Sequence, residues 1–520
     1  MPLSRREFLT KATFIVVAGS SLPAVLEACA PGGNSSAASK VNQTLTVGTT
    51  AAFTTLDPNQ IDTSMFPFRN AVFDPLIDIP VVDIPTYKLG SIQDWLATAH
   101  SANSDYTQIT LPIRTGVKFH DGKTMTVDDV VNAFQHALDP KTGRTMAGTL
   151  GAVAKVEAKG DSVVLTTSGP SVDALYRLTL FRMQSPTNYA NATNHPIGTG
   201  PFKFVEYVPG DHLTLERNTD YWKPIASNVK QLIFRFYSTA EAMVNAALGG
   251  QIDILQFGNL KDASTLQKQG WSGYAAPIAD FEMMVLNYAD NNDALKNQQI
   301  RQAISLSIDR DSIVKNVYYN LVKPIIIPMP PSNHDYDPST IQEWQFNLSK
   351  AAQLVKASGI SNPTFQMGAA SNDPNAGQIA QIIASDLAKV GITAQIQLMD
   401  STTQVTNALK GDFQSNVYAC SVGVPNVQDF EDCSVYRPNV GPFSGPKALP
   451  NYVTAYQAAA VTVNPADRTA AFKKVFEALL EDAWAIPICT RGLLCGQASH
   501  VSGVSYDAKT HLVYQNIVKG

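Results

Sequence analysis

Cysteine and histidine are the residues of this chain best suited to covalent or metal chemistry, and their placement decides which chemistry is available. There are five cysteines and eight histidines. Cys29 closes a moderately apolar run, Ala12 to Leu26, that follows Arg5-Arg6 and is interrupted by Gly19, Ser20, Ser21 and Pro23. A basic start, a short apolar core and small residues before a cut describe an export signal. The run is too short and too broken to span a bilayer core of roughly 30 Å. Cys420, Cys433, Cys489 and Cys495 remain, with twelve residues between the first two and five between the last two. That spacing matches no zinc pattern and no histidine stands close by. An even count in an exported protein permits two disulfides in three connectivities, so these four read as structural bridges or buried thiols. The histidines are scattered singly with no His-x-x-x-His pair, and no metal or cofactor is expected.

Phosphate and acyl chemistry fare no better. Gly198 and Gly200 form a Gly-x-Gly, but Pro201 follows and no helix starts there, so a dinucleotide loop is disfavoured. Gly122-Lys123-Thr124 ends like a phosphate-binding loop, yet Gly116 lies one residue too far back. No Gly-x-Ser-x-Gly elbow occurs. No assembled enzyme constellation is present, and the expectation is that the chain is not an enzyme. Ser4-Arg5-Arg6-Glu7-Phe8-Leu9 resembles a twin-arginine signal, with the general secretory route as the alternative. Leu26-Glu27-Ala28-Cys29 resembles a bacterial lipobox, which makes Cys29 the lipid-modified first residue of the mature chain. Residues 30–40 are small, polar and rich in Pro and Gly, and read as a flexible tether. The expected location is extracytoplasmic, held to the membrane by a lipid.

The elements that position the rest follow from patterning. About 480 residues after the tether call for two or three domains. A net charge of −5 and a pI near 5.9 show no basic excess, which argues against nucleic acid. Gln43–Gly48 alternates like a strand, and Leu56-Asp57-Pro58 turns the chain. Thr126 and Asp129 form a capping-box-like pair for a helix with a buried stripe at Val130, Val131, Phe134, Ala137 and Leu138. His136 falls off that stripe and is expected in solvent. Asp309 reads as the N-cap of a helix running through Tyr319, and Arg301 is placed to pin helix ends. Asn464-Pro465 opens a last helix whose apolar face is Phe472, Val475, Phe476, Leu479 and Leu480. Pro324 to Pro331 reads as an extended connector. Helices and strands alternate, which predicts an α/β (mixed α+β) fold with parallel and antiparallel pairing.

Several stretches, taken in order, resemble the extracytoplasmic solute-binding proteins of peptide-type ABC importers, the family that binds dipeptides, oligopeptides or nickel. The first is Leu111-Pro-Ile-Arg-Thr-Gly-Val-Lys-Phe-His-Asp-Gly122 leading into the Asp129-Val130 helix start. The second is Pro196-Ile-Gly-Thr-Gly-Pro-Phe-Lys-Phe204 with Leu215-Glu-Arg-Asn-Thr-Asp-Tyr-Trp222. The third is Ile300-Arg-Gln-Ala-Ile-Ser-Leu-Ser-Ile-Asp-Arg310, after Val285-Leu-Asn287. The resemblance implies a two-lobed, hinged fold of the periplasmic-binding-protein kind with a third subdomain inserted in the first lobe. Lobe I would comprise 41–78, 195–285 and 490–520, the insertion 79–194 and lobe II 286–489. Crossings near Phe281–Asn287 and Trp484–Arg491 would form the hinge. It also implies a monomer that captures a small molecule or peptide between its lobes and hands it to an ABC permease.

In the peptide-binding members, main-chain hydrogen bonds hold an extended peptide and an acidic residue pairs its amine. The matching stretch here is Tyr418 to Asp432, where the family's Asp-Pro is absent and Asp429, beside Phe430, is the best remaining carboxylate. A turn-capping role for Asp429 is the alternative. Ligand contacts are expected from Phe53, Thr54, Phe281, Tyr418, Asp429, Tyr436 and Trp484. The cargo reading is a peptide, with an oligosaccharide, another organic solute or a nickel chelate as the alternative, and a sensor without transport as a further one.

Overall fold

The computed structural model describes residues 43–50, 53–60, 67–83, 88–89, 91–142, 145–289, 292–329, 336–371, 373–421, 449–507 and 511–520. Cys29, Asp429, Cys433 and Tyr436 lie outside the described residues, as do the expected leader and tether. Among the described residues, the centre of the fold is one mixed sheet of ten strands. In chain order these are β1 (Thr44–Thr49), β2 (Phe202–Val208), β3 (His212–Arg217), β4 (Gln231–Phe236) and β5 (Ile254–Gly258). Then come β6 (Ser272–Leu286), β7 (Thr364–Ala370), β8 (Thr393–Met399), β9 (Ser415–Ser421) and β10 (Ala485–Gln497). Their spatial order is β2-β3-β4-β1-β5-β10-β6-β9-β7-β8. β1 pairs parallel with β4 and β5, and β7 pairs parallel with β8 and β9, while the long β6 and β10 pair antiparallel with each other. Both pairing modes are present, as the alternation of elements predicts.

Local sequence accounts for most of the helices. In α1 (Val127–Leu138) the Asp129 amide donates to Thr126 Oγ1 at 3.2 Å and the Thr126 amide donates to Asp129 Oδ2 at 2.9 Å, a complete capping box. Val130, Ala133, Phe134 and Ala137 are buried, while Val131 and Leu138 are half-buried. The expectation of a solvated His136 is corrected: its ring stacks on Tyr189 with centroids 3.6 Å apart. The helix α2 (Gln298–Ser307) precedes α3 (Arg310–Tyr318), where Asp309 Oδ1 accepts the Ser312 amide at 2.9 Å. Arg301 pins helix ends as expected, donating to the carbonyls of Leu295, Lys296 and Asp482. α4 (Pro374–Ala388) starts at Asp373, whose side chain accepts from the amides of Asn375 and Ala376. α5 (Pro450–Ala460) and α6 (Pro465–Asp482) pack together, and the predicted face of α6 is buried at all five positions.

Among the described residues a separate apolar core runs from Leu76 to Met183, built on a four-stranded sheet and α1. It meets the main sheet through a buried carboxylate. Asp74 Oδ1 accepts from Trp95 Nε1 and Tyr221 OH, both at 2.8 Å, and Oδ2 accepts from Thr199 Oγ1 at 3.0 Å and Trp222 Nε1 at 3.1 Å. The two glycines flanking Thr199 lie against backbone. A Cβ on Gly198 would stand 2.1 Å from the Val72 carbonyl oxygen, and one on Gly200 would stand 2.5 Å from the Val72 carbonyl carbon. The sequence motif is thus a close backbone approach.

His120 closes the same junction. Its Nε2 donates to the Gly200 carbonyl at 3.0 Å while the Gly198 amide donates to Nδ1 at 3.4 Å, which requires the neutral ring. Burial pushes the imidazole down from 6.5 to about 4. Between those values the unfolded chain takes a proton on this ring and the folded chain does not, so stability falls as pH drops through the window. We expect His120→Gln, which keeps a donor, to flatten the fall by up to about 1.4 kcal/mol per pH unit, read by urea denaturation between pH 7 and 4. An unchanged slope would discount the ring. Asp74→Asn turns an amide N–H toward an indole N–H whichever way it lies, Trp95 on one side and Trp222 on the other, and should cost roughly 2–4 kcal/mol in the same assay at pH 7.

Candidate functional site

β6 and β10 are the strands shared by both halves of the sheet. Toward one end they pair from Ser272↔Gln497 to Pro277↔Gly492, and here β10 also pairs with β5. Toward the other end they pair from Phe281↔Thr490 to Val285↔Ala485, and here β6 also pairs with β9 through Asp280↔Ser421 to Leu286↔Ser415. The register shifts between Pro277 and Phe281. The ladder is therefore interrupted where the pair passes from one half of the sheet to the other.

A cluster of ionisable groups sits beside that interruption. Glu282 is fully buried and accepts from Tyr318 OH on α3 at 2.5 Å. Arg491 Nε lies 3.5 Å from Glu282 Oε1, and its Nη2 donates to Asp373 Oδ2, at the start of α4, at 3.2 Å. Burial raises the Glu282 carboxyl above its ordinary range and Arg491 pulls it back. Burial also works against the Arg491 charge, but Glu282 and Asp373 outweigh it and hold the guanidinium above its usual value. The Tyr318 hydroxyl is pushed far up, first by burial and then by Glu282, so it stays protonated. Such a cluster binds and orients by charge and hydrogen bonds. Among the described residues no group of three or more His, Cys, Asp or Glu is arranged to hold a metal.

The residues singled out in the sequence divide into two places. Phe281 and Tyr418 project into one apolar cluster with Trp484, beneath α5 and α6. Trp484 has no exposed surface and packs edge-on to Tyr452 at 5.8 Å and Tyr288 at 6.5 Å. Burial raises the Tyr418 hydroxyl well above its usual value. Phe53 lies in the other main core, its ring 4.6 Å from Phe68 and 4.7 Å from Phe236, while its carbonyl accepts from Tyr207 OH at 2.5 Å. Thr54, next in the chain, is exposed. Cys420 is disulfide-bonded, whereas Cys489 and Cys495 are buried free thiols, so the two-bridge alternative is corrected to one bridge at most among the four. Glu282, Tyr318, Asp373 and Arg491 were not anticipated. The available signal was a lone acid inside the apolar run Phe281 to Leu286.

Comparison with known proteins places this geometry. Residues 91–435 match the family model for bacterial extracellular solute-binding proteins, family 5. A putative ABC transporter peptide-binding protein of Brucella ovis is 26% identical over 451 residues, covering 80% of this chain and 81% of that protein. Di/tripeptide-binding protein 1 of Pseudomonas aeruginosa is 26% identical over 352 residues, or 61% of this chain and 65% of its own length. In fold, the chain is similar to the substrate-binding protein CtaP of Listeria monocytogenes, with TM-score 0.80, 22% identity and coverage of 92% of this chain and all of that one. It is also similar to DppA of Helicobacter pylori, solved with the peptide STSA, with TM-score 0.73, 20% identity and coverage of 92% and 98%. With the mixed sheet, the separate apolar core and two shared strands already described, the match over residues 91–435 makes this chain a member of the family 5 bacterial extracellular solute-binding proteins.

Proposed function

We propose that this protein is the substrate-binding component of an ABC importer, capturing a peptide between two lobes and delivering it to a membrane permease. The observation that carries the reading is the interrupted ladder between β6 and β10, with Glu282, Arg491, Asp373 and Tyr318 gathered beside it. A pair of strands whose register shifts at two nearby steps, Pro277/Phe281 and Glu282/Met283, is suited to let two rigid halves rotate there. Lobe I is assigned to 41–78, 195–285 and 490–520, the insertion to 79–194 and lobe II to 286–489. A ligand favours the closed arrangement only through contacts it makes there and not in the open one. No covalent step is needed.

A peptide is preferred because the Brucella and Pseudomonas relatives are named for peptide binding and because main-chain pairing to an extended ligand gives affinity with little side-chain selection. Asp429 is the assigned partner of the peptide amine. Cys29 is assigned as a lipid anchor and residues 30–40 as its leash, keeping a monomeric receptor outside the cytoplasm and beside its permease.

Calorimetry with short peptides and, separately, with maltooligosaccharides tests the cargo. Saturable heat with peptides alone is expected, and Asp429→Asn should weaken it by roughly 1 kcal/mol or more. Binding of the sugars without the peptides would overturn the assignment. The polar cluster has its own test. Arg491→Met strands Glu282 as a buried acid and should cost roughly 3 kcal/mol in urea denaturation, with Glu282→Gln added to it restoring at least half. Losses that simply add would show that the two side chains are not coupled.

A further inference from the structure

The parallel strands of both halves of the sheet aim at one place. β5 runs antiparallel to β10, from Ile254 beside Gln497 to Gly258 beside Leu494, and β1 and β4 run parallel with it. β9 runs antiparallel to β6, from Ser415 beside Leu286 to Ser421 beside Asp280, and β7 and β8 run parallel with it. The carboxyl ends of these strands therefore face one another across the register break, and in open α/β sheets ligands bind outside such ends. Arg491 stands at that point, between Thr490 and Gly492, the two β10 residues that flank the break. Two of its three guanidinium nitrogens are held, Nε by Glu282 at 3.5 Å and Nη2 by Asp373 at 3.2 Å. Nη1 makes no hydrogen bond among the described residues, and it is not closed off, since the side chain keeps 27% of its surface exposed.

We propose that Arg491 is a cargo-contacting residue whose Nη1 donates to a main-chain carbonyl of the bound peptide, an assignment that rests on the peptide reading above. Charge balance selects the acceptor. Glu282 and Asp373 already face the guanidinium, and Asp280 adds a weaker pull from the same sign of charge. A ligand carboxylate brought to Nη1 would meet these like charges, whereas a neutral carbonyl accepts the N–H without adding another. Every peptide offers such an oxygen, so the contact is blind to side chains. With two corners fixed by acids, the third has a set direction, and little freedom is lost when cargo arrives. Ionised acids donate nothing, so neither Glu282 nor Asp373 can take this role while charged.

Calorimetry with alanine peptides of two to five residues tests the contact, the tightest binder being remade as its C-terminal amide and as each single thioamide. Glu282→Gln is the reference chain, because it removes the acid that loss of Arg491 would strand. Adding Arg491→Met to it should weaken the peptide and its C-terminal amide equally, by about tenfold. One thioamide, whose sulfur is a poorer acceptor, should bind the reference chain roughly threefold more weakly than the parent peptide and the Arg491→Met chain no differently from it. Arg491→Lys in the native chain, which keeps a cation beside both acids but loses the planar fork, should weaken peptide and amide alike, and serves if the double variant does not unfold cooperatively. A loss confined to the free acid would overturn the proposal in favour of a carboxylate contact. Thioamide effects that are the same with and without Arg491 would also overturn it, leaving the side chain a purely structural role. Undiminished affinity in folded variants would overturn this inference alone, whereas a native chain that binds no peptide would overturn the peptide reading with it.

Discussion

The whole sheet is threaded by two backbone segments, β6 and β10, and their mutual hydrogen bonding is the constraint on which the rest depends. Five strands attach on one side of the pair and three on the other. Relative motion of those two groups is absorbed most easily where the ladder is already interrupted, between Glu282 and Met283 and between Pro277 and Phe281, since elsewhere it would break paired backbone groups. Gly492 stands opposite Pro277 at that step, and a proline there removes a donor that regular pairing would need. The break is thus written into the residues and is not a failure of packing around them.

Buried charge marks the joints between parts of the chain that are distant in sequence. Asp74 gathers donors from residues 95, 199, 221 and 222. Arg182 reaches Asn70 and Asp507, and Asp507 in turn meets His511. Glu282 and Arg491 do the same beside the ladder break. In each case the charge is compensated only when every segment is in place, so a misdocked arrangement leaves a carboxylate or guanidinium buried alone. Apolar surface would tolerate a small slip, and these clusters do not.

What the sequence made legible is what short-range chemistry controls. The Thr126/Asp129 box, the Asp309 cap, the buried face of α6 and the glycine turn at 198–200 each depend on residues a few places apart. Family motifs carried the fold class. The polar clusters escaped because their members are separated by tens to hundreds of residues, and nothing in a local window says that Asp74 faces Trp222. His136 was misjudged for the same reason, its partner Tyr189 lying on another element. Aromatic candidates posed a different difficulty. A ring that could serve as a ligand platform and a ring that fills a core have identical chemistry, and only the packing around Phe53 and Trp484 tells which surfaces are already occupied.

Residues 507–519 fasten segments that come hundreds of positions earlier. Lys519 Nζ donates to the Thr44 carbonyl and to Asp253, Asn228 donates to the Lys519 carbonyl, and Tyr514 donates to the Pro67 carbonyl. Asp507 supplies the carboxylate that faces Arg182. During synthesis, therefore, β1 and the residue 67–74 segment emerge with their closing partners still unmade. A chain cut before Asp507 would hold an uncompensated guanidinium at Arg182 and lack the Lys519 contacts to Thr44 and Asp253. The Pro67 carbonyl thus waits for a partner 447 positions later, and a cut product is left exposed to proteolysis.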